Sequence, residues 1–366
     1  MKIAFDHQIF ALQRYGGISR YICEIAKRIS QTNGCEANIV APFHINEYLR
    51  NLRHSVRIDG YYVGNIPKIR RLVNVVNRHI GPVILRKSRP DIVHRTYFDA
   101  KLPDVKSART VITLHDMIHE RFQKVMPVAS DAVGKRASVL AADHVICVSE
   151  SARRDLIEIF DINPEKTSVV HQGFDLMPTV DDRPFALPTR EFVLFVGQRW
   201  GYKNFDGLLA AYAASRRLRE NFDIVCFGGG AFSRAEKSAI AARGIRNGAI
   251  RQIDGSDASL RQFYQRAVAF VYPSLYEGFG IPPLEAMSFD CPVVCCAVAS
   301  LPEVVGQAAS FFEAGNNESL GAAIERVIDD SALRSELIQR GRARLKLFSW
   351  ERCAKETLET YQKVLS

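Results

Sequence analysis

Two carboxylates eight positions apart, Glu277 and Glu285, frame the segment of this chain whose residue types are best suited to chemistry. Between them lie a glycine-rich turn and the pair Pro282–Pro283, which the first turn of a helix tolerates because its N–H groups are unpaired anyway. The apolar run Ala267–Tyr272 before them predicts a buried strand. The predicted order is strand, loop and helix, and ligands of α/β sheets bind at the carboxyl ends of the strands.

The two carboxylates suggest a site for hydroxyl groups. An ionised carboxylate accepts two hydrogen bonds from a vicinal diol such as a ribose, which makes Glu285 a candidate for such a diol and Glu277 one for a sugar hydroxyl. The N–H groups of Phe279, Gly280 and Ile281 offer neutral donors between them. An acid in the first turn of a helix is also stabilised by the helix dipole alone, so this structural alternative stays open for Glu285.

Two cations, Arg199 and Lys203, lie between the predicted strand Phe192–Val196 and the predicted helix Phe205–Leu218. A guanidinium fork and an ammonium point charge are the two cationic groups that proteins use on phosphates. Because both follow a strand directly, we expect them near the same edge of a sheet as the two carboxylates. The pair suggests an anion site, although basic side chains are also common on plain surfaces.

The first half of the chain has two candidate ligand-binding loops. Gly16 and Gly17 stand before the first helix, where glycine lets a ligand approach the N–H groups of a helix N-terminus. They do not complete the dinucleotide fingerprint, and a plain helix-start turn is the alternative. His115 follows the predicted strand Arg109–Leu114 and could donate a hydrogen bond to a substrate hydroxyl. A turn-stabilising pair with Asp116 is the alternative.

Strands and helices alternate in two separate runs. The first run extends from Lys2–Asp6 to Thr167–His171, and the second extends from Phe192–Val196 to Ala309–Phe312, after which three helices follow. Residues 176–190 contain several prolines and no periodicity, which predicts a linker. The pattern predicts an α/β protein with two Rossmann-like, doubly wound parallel sheets facing a central cleft. The predicted boundaries are 1–178, 179–348 and a C-terminal helix at 349–366 that packs back toward the first domain.

Composition is that of a soluble globular protein. The 366 residues are 47% hydrophobic and 24% charged, and no apolar run approaches the ~20 residues of a membrane span. The start, Met1–Asp6, reads as a first strand and not as a signal peptide. Five of the eight cysteines lie in apolar runs and none forms a Cys-x-x-Cys pair, so we expect buried, reduced thiols in a cytoplasmic protein. The five are Cys147, Cys226, Cys291, Cys295 and Cys296.

The net charge of +9 is concentrated in one segment. Residues 50–89 contain ten basic residues and a single acid, Asp59, which accounts for the whole excess. The stretch Lys68–Arg78 alternates apolar and basic residues at near-helical spacing, and such a helix can lie on an anionic membrane. A solvated surface helix is the alternative, and the absence of any zinc-finger or RNP motif argues against nucleic acid as a partner. The candidate membrane-surface residues are Lys68, Arg70, Arg71 and Arg78.

The motifs together resemble one known family. The stretch 272–287 contains a Glu-x7-Glu motif, and it is similar to the retaining glycosyltransferases of family 4, the group 1 glycosyltransferases with the GT-B fold. Arg199 and Lys203 match the family's diphosphate-binding pair, Gly16–Gly17 its N-terminal glycine loop, and His115 its sugar-contacting histidine. The resemblance spans nearly the whole chain. His171 stands where the family often has Asn, so no role is inferred for it.

The resemblance implies how a nucleotide diphosphate sugar would bind. Arg199 and Lys203 would neutralise the diphosphate as it leaves, and Glu285 would hold the ribose. Glu277 and the backbone of Phe279, Gly280 and Ile281 would hold the transferred sugar. The base would lie near Gly228 and Asp254. The donor would thus bind mainly to the second domain, and the acceptor to the first.

The activity implied is transfer of a hexose, with retention of configuration, from a UDP-sugar or GDP-mannose to a glycan or glycolipid in cell-surface polysaccharide or lipopolysaccharide biosynthesis. Fixed cations and a helix N-terminus would replace a metal, so no metal and no other cofactor are expected. Peripheral association with the cytoplasmic face of an anionic membrane fits the basic segment. A GT-B epimerase and a non-catalytic nucleotide-sugar or polyanion binder are the alternatives, while the missing fingerprint disfavours a Rossmann oxidoreductase.

Overall fold

The chain forms two compact units. The computed structural model describes residues 1–64, 70–103, 105–122, 130–175 and 188–366, of which residues 70–72 and 130–133 are described by their backbone. Unit 1 comprises Met1–Gly173 and Phe348–Ser366, and unit 2 comprises Phe174–Leu347. Most of the predicted linker, residues 176–187, lies outside the described residues.

Unit 1 is built on a parallel sheet. Its strands are β1 (Lys2–Phe5), β2 (Glu36–His44), β3 (Arg57–Tyr62), β4 (Ile92–Arg95), β5 (Arg109–Leu114), β6 (His144–Cys147) and β7 (Thr167–Val169). Among the described residues they pair in the order β3-β2-β1-β4-β5-β6-β7, every neighbour parallel. The order reverses direction between β1 and β4. This is a topological switch point, where loops at the carboxyl ends of adjacent strands diverge and leave a crevice.

The helices of unit 1 cover this sheet. They are α1 (Gln8–Leu12), α2 (Gly17–Ser30), α3 (Tyr48–Leu52), α4 (Arg70–Ser88), α5 (Ile118–Arg121), α6 (Ser130–Ala141) and α7 (Glu150–Phe160). Helix α2 buries one apolar stripe that includes Tyr21, Ile22 and Ile25, as its periodicity predicts. The predicted cap Ser149 is confirmed, because its hydroxyl accepts a hydrogen bond from Ala152 N.

Unit 2 has the same plan. Its strands are β8 (Phe192–Val196), β9 (Asp223–Phe227), β10 (Ile250–Ile253), β11 (Ala269–Tyr272), β12 (Val293–Cys296) and β13 (Ala309–Phe312). Over the described part of the unit they pair in the parallel order β10-β9-β8-β11-β12-β13, with the switch point between β8 and β11. Its helices are α8 (Phe205–Ala214), α9 (Arg216–Asn221), α10 (Arg234–Ala242), α11 (Asp257–Arg266), α12 (Ile281–Ser288), α13 (Leu301–Val305), α14 (Asn317–Asp329) and α15 (Ser331–Leu345). The predicted fold class, two doubly wound parallel sheets, is confirmed.

The last helix, α16 (Trp350–Leu365), belongs to unit 1. It packs on α2, and the Tyr361 hydroxyl lies 2.5 Å from Nδ1 of the buried His94. None of the helices in the described part of the chain is long and apolar enough to cross a membrane. The five cysteines expected in the core are all buried with free thiols.

Two sequence-based predictions are corrected. The single helix predicted over Phe205–Leu218 is two helices, α8 and α9, because Ser215 ends the first and its hydroxyl caps the second by accepting from Leu218 N. The edge strand β3 was not predicted, because its sequence, Arg-Ile-Asp-Gly-Tyr-Tyr, lacks the apolar run of a central strand.

Candidate functional site

The loops at the switch point of unit 2 bring a cation and a carboxylate together. Lys203 follows β8 and Glu277 follows β11, and Lys203 Nζ lies 2.6 Å from Glu277 Oε1. The same ammonium lies 3.3 Å from the Tyr272 hydroxyl. Glu277 is 8% exposed, so the pair is largely removed from water and its mutual attraction is stronger than at an open surface. Among the described residues, two of the three ammonium N–H groups have partners, which leaves one for a ligand.

Local geometry holds Glu277 beside the start of α12. The Ser300 hydroxyl is 2.8 Å from Glu277 O and 2.9 Å from Phe279 O, a pair of contacts that ties the loop to α13. Gly280 caps α12 at a φ of +100°, a conformation that disfavours residues with a Cβ. Prolines occupy the first turn, as predicted. Pro282 and Pro283 have no N–H, so the donors at this helix start are the N–H groups of Gly280 and Ile281, at the same edge of the sheet as Lys203.

Glu285 follows the first turn of α12 and does not lie in it, contrary to the prediction, and it has a fixed partner. The Tyr264 hydroxyl of α11 donates to Glu285 Oε2 over 3.3 Å. Burial and the nearby Glu285 raise the pKa of Tyr264 well above its usual value, so the hydroxyl keeps its proton at neutral pH. Glu285 itself is half-buried. An ionised carboxylate can accept several hydrogen bonds at once, so the contact with Tyr264 is compatible with the predicted contact to a ribose.

Arg199 points to the glycine loop after β9. It is 7% exposed, and its guanidinium donates to Glu236 Oε1 at 2.6 Å, Gly228 O at 2.9 Å and Gly230 O at 2.7 Å. Hydrogen bonds from Ser233 and Arg199 lower the pKa of Glu236 despite its burial, which keeps the pair ionised. These contacts give Arg199 a role in shaping the loop, while its contact with a diphosphate stays a prediction.

The predicted base-binding residues follow the adjacent strands β9 and β10. Gly228, Gly229 and Gly230 all have a positive φ, and a Cβ at Gly229 would lie 2.6 Å from Arg199 Nη1. The Gly228 N–H donates to Ile253 O, which ties the loop to β10. Asp254 is exposed immediately after β10. The loop and Asp254 therefore lie at the same edge of the sheet as Lys203.

In unit 1, His115 lies at the carboxyl end of β5, as predicted. Its Nδ1 is 3.3 Å from the Gln172 amide nitrogen, and its ring meets Tyr21 edge-on at 5.0 Å. Burial, reinforced by Lys135 and opposed by Asp116, lowers the pKa of His115 to about 4, so the imidazole is neutral at pH 7. When the Gln172 amide donates to Nδ1, the proton resides on Nε2, which can donate to a hydroxyl.

The glycine pair lies at the start of α2. Gly16 is the N-cap, and Gly17 is the first helical residue and is exposed. The Gln13 side-chain oxygen accepts from Ser19 N at 3.3 Å, so one N–H group of this helix start is already capped from within the chain. Both the ligand-binding prediction and the plain turn remain compatible with this geometry.

Unit 1 also has a cavity that was not predicted from the sequence. It has a volume of about 590 Å³ at the switch point, where His7 and Gln8 follow β1, the segment Tyr97–Lys101 follows β4, and Arg78 enters from α4. The buried carboxylate of Asp6 joins the two strand ends by accepting from Thr96 N and Thr96 Oγ1. The signal was present in the sequence, because Asp-His-Gln follows the first strand directly, just as His115 follows another.

Of the four candidate membrane-surface residues, the structure describes the side chain of Arg78 alone. Lys68 lies outside the described residues, as do the side chains of Arg70 and Arg71. Arg78 pairs with Asp99 at 2.7 Å and lines the unit 1 cavity. The helical prediction is right, since α4 begins at Arg70, but the helix extends ten residues beyond Arg78.

Four residues that contact the predicted site residues were not themselves predicted, because they are distant from them in sequence. Tyr272, Tyr264, Ser300 and Glu236 contact the predicted site residues from different strands and helices. Glu236 alone had a sequence signal, the capping box that it forms with Ser233. Over the described residues, no group of three or more His, Cys, Asp or Glu side chains could hold a metal ion, and metal independence stays a prediction.

Comparison with known proteins finds family matches over both halves of the chain. Residues 180–344 match the family model for glycosyl transferases group 1, and residues 15–177 match that for glycosyltransferase family 4. The O-antigen chain mannosyltransferase B of Escherichia coli is 32% identical over 235 residues, which are 62% of this chain and 62% of that protein. The aligned regions cover 36–65% of the length of the curated relatives.

Solved structures with the same architecture superimpose over nearly the whole chain. Sucrose-phosphate synthase from Thermosynechococcus elongatus has a TM-score of 0.75 at 19% identity, over 99% of this chain and 98% of its own. HepE from Anabaena in complex with UDP-glucose has a TM-score of 0.75 at 18% identity, over 99% of this chain and 100% of its own. At these identities the likeness shows the fold. With both halves matched by family models, the chain belongs to the group 1 glycosyltransferases of the GT-B type.

Proposed function

We propose that this protein transfers a hexose from a nucleotide diphosphate sugar to a glycan or glycolipid acceptor. The observation that carries the proposal is the Lys203–Glu277 pair beside the N-terminus of α12. A fixed cation and the N–H groups of a helix start stabilise the negative charge that develops on a leaving diphosphate. A carboxylate next to them is suited to hold hydroxyl groups of the sugar being transferred.

The remaining site residues take complementary roles. Glu285 holds the ribose, with Tyr264 orienting its carboxylate, and the loop at Gly228 together with Asp254 lies by the base. Arg199, paired with Glu236, supports that loop, and its contact with the diphosphate is part of the proposal. His115 and the Gly16–Gly17 turn are the donor-contact candidates of unit 1. Retention of configuration is proposed from the family resemblance. Transfer needs no metal in this proposal, because Lys203 and the helix start supply the charge stabilisation.

The relatives favour mannose as the sugar. Two curated proteins from Escherichia coli are named mannosyltransferases, O-antigen chain mannosyltransferase B and WbdA. GDP-mannose is therefore the first donor to test, and UDP-glucose, which HepE binds, is the second. The implied setting is assembly of a cell-surface polysaccharide at the cytoplasmic face of a membrane.

The acceptor is assigned to the unit 1 cavity. Its volume of about 590 Å³ is within the usual range of small-ligand sites, and Tyr97 and Leu12 supply apolar surface while His7, Gln8 and Asp99 supply polar groups. This mixture suits the faces and hydroxyl groups of a sugar. His7 is buried, which lowers its pKa and keeps it neutral at pH 7.

A thermal-shift screen with UDP, GDP, ADP and their sugars tests the proposal. A ligand at a hundred times its Kd stabilises the native protein by about 2.7 kcal/mol, so the correct nucleotide will raise Tm. The matching nucleotide-sugar must then turn over with a glycan acceptor. Tight binding with no turnover of any donor would point to a non-catalytic binding protein, and no Tm shift with any nucleotide would contradict the donor site itself.

A further inference from the structure

We propose that a groove between β3 and α4 in unit 1 takes one acyl chain of an anionic membrane phospholipid. The groove has a volume of about 780 Å³ and is walled by the apolar side chains of Phe43, Ile58, Tyr61, Ile80 and Ile84. It lies at the free edge of the sheet, because β3 is the last strand in the order. It is separate from the donor and acceptor sites assigned above.

The apolar surface around the groove is exposed to an unusual degree. Of the residues that line the groove, Tyr61 is 71% exposed and Ile80 is 42% exposed, and Val83, three positions after Ile80 on α4, is 47% exposed. Single exposed apolar residues need no explanation, but several around one groove mark a surface that another apolar group covers. A lipid interface is such an environment, since a helix can lie in it with its apolar side chains inserted.

The charge at the rim identifies the head group. Arg53, Arg57 and Lys87 line the groove, and the adjacent Arg86 is exposed on α4. The acid at the rim, Asp59, already accepts hydrogen bonds from Arg57 at 3.1 Å and Asn38 at 2.8 Å. Among the described residues, Arg86 and Lys87 have no acidic partner. The rim therefore carries an excess of positive charge that complements a phosphate head group.

The same charge argues against a second copy of the chain as the occupant. Two copies meeting through this face would bring their two sets of rim residues together, and like charges oppose that contact. The groove also lies away from the acceptor cavity. Arg78 lines the cavity and Ile80 lines the groove, and at 3.6 residues per turn these two positions lie about 160° apart around α4. The groove therefore suits a lipid of the membrane rather than the acceptor.

Sedimentation of the full chain with vesicles tests the inference independently of transfer activity. Vesicles of phosphatidylcholine containing phosphatidylglycerol should retain the protein, and pure phosphatidylcholine should not. Lys87→Glu should weaken partitioning at least about tenfold, since each cation near an anionic surface adds about a factor of five and the reversal adds repulsion. Arg154→Glu, an equal charge change at an exposed position on α7, should leave partitioning unchanged.

A second measurement separates insertion into the groove from charge attraction alone. Tyr61→Trp places a fluorescent side chain at the groove, and phosphatidylglycerol with brominated acyl chains should quench the fluorescence that it adds. Adding Ile80→Asn to this variant should reduce both the quenching and the partitioning while Tm stays unchanged. Partitioning without this quenching would overturn the groove in favour of simple surface attraction. Dimerisation that Ile80→Asn abolishes would assign the groove to a second copy. A soluble isoprenyl phosphate that changes the added fluorescence equally well without vesicles would assign the groove to the acceptor.

Discussion

Lys203 Nζ and Glu277 Oε1 lie 2.6 Å apart although 74 positions separate them in sequence. Each follows one of the two strands that flank the switch point of unit 2, β8 and β11. The cation proposed for the diphosphate and the carboxylate proposed for the sugar are thus in direct contact. Removing either one leaves the other partly buried and without its charge partner, which is costly.

Replacing Lys203 tests the charge stabilisation of the leaving group. Lys203→Met should lower kcat by about 10²–10³, because one fixed donor at a developing anion is worth roughly 3–4 kcal/mol. Single-turnover rates at saturating donor measure this. Lys237→Met, at an exposed lysine on α10, is the matched control and should keep wild-type rates. Equal rates in the two variants would remove Lys203 from the proposed mechanism.

The ribose assignment of Glu285 can be separated from a merely structural role. Wild-type protein should bind a 2′,3′-dideoxy nucleotide at least about tenfold more weakly than the ribonucleotide, because hydrogen bonds to a carboxylate contribute roughly 1.5–3 kcal/mol. Glu285→Gln should bind the two nucleotides with similar Kd. If the variant still discriminates as strongly as wild type, the ribose lies elsewhere. Calorimetric titration of both proteins provides the four constants.

The packing of Arg199 against the glycine loop predicts that alanine substitutions at two neighbouring glycines lower the free energy of unfolding by different amounts. Gly229 and Gly230 have φ of +76° and +71°, so alanine strains both alike, by roughly 1–2 kcal/mol. At Gly229 the new Cβ would also lie 2.6 Å from Arg199 Nη1 and 2.7 Å from Gly197 O, whereas Gly230 has open space. Urea unfolding should find Gly229→Ala less stable than Gly230→Ala by about 1–3 kcal/mol. Indistinguishable midpoints would contradict the close approach.

Buried histidines predict a loss of stability in mild acid. Burial lowers the pKa of His94 to about 3, while in the unfolded chain the group titrates near its model value of 6.5. The unfolded state therefore takes up the proton first as pH falls below about 6.5. The free energy of unfolding should decrease by up to about 1.4 kcal/mol per pH unit from this group, down toward pH 3.

A variant without the titrating group provides the control. His94→Gln keeps a side chain that can bond Thr113 and Tyr361, whose hydroxyls lie at 2.9 Å and 2.5 Å from the two ring nitrogens. Its stability between pH 6.5 and 4.5 should fall less steeply than that of wild type. Parallel slopes in urea titrations across this range would mean that His94 does not titrate as predicted.

Much of the fold followed from local patterns. Alternation of buried runs with amphipathic segments predicted strands such as Phe192–Val196 and Arg109–Leu114 with the bounds that the structure has. Proline and glycine positions predicted the turn and helix start between Glu277 and Glu285. The edge strand β3 escaped prediction because an edge strand, with one side free, needs no continuous apolar run.

The sequence by itself determined which residues stand at the carboxyl ends of strands, because side-chain periodicity and turn residues act over a few positions. Only the tertiary structure decided which of them meet. Arg199 and Lys203 are four residues apart, yet Arg199 turns to the loop after β9 and Lys203 turns to Glu277 after β11. The two directions depend on which strands flank β8 in the sheet, and strand order is a long-range property that no local pattern encodes.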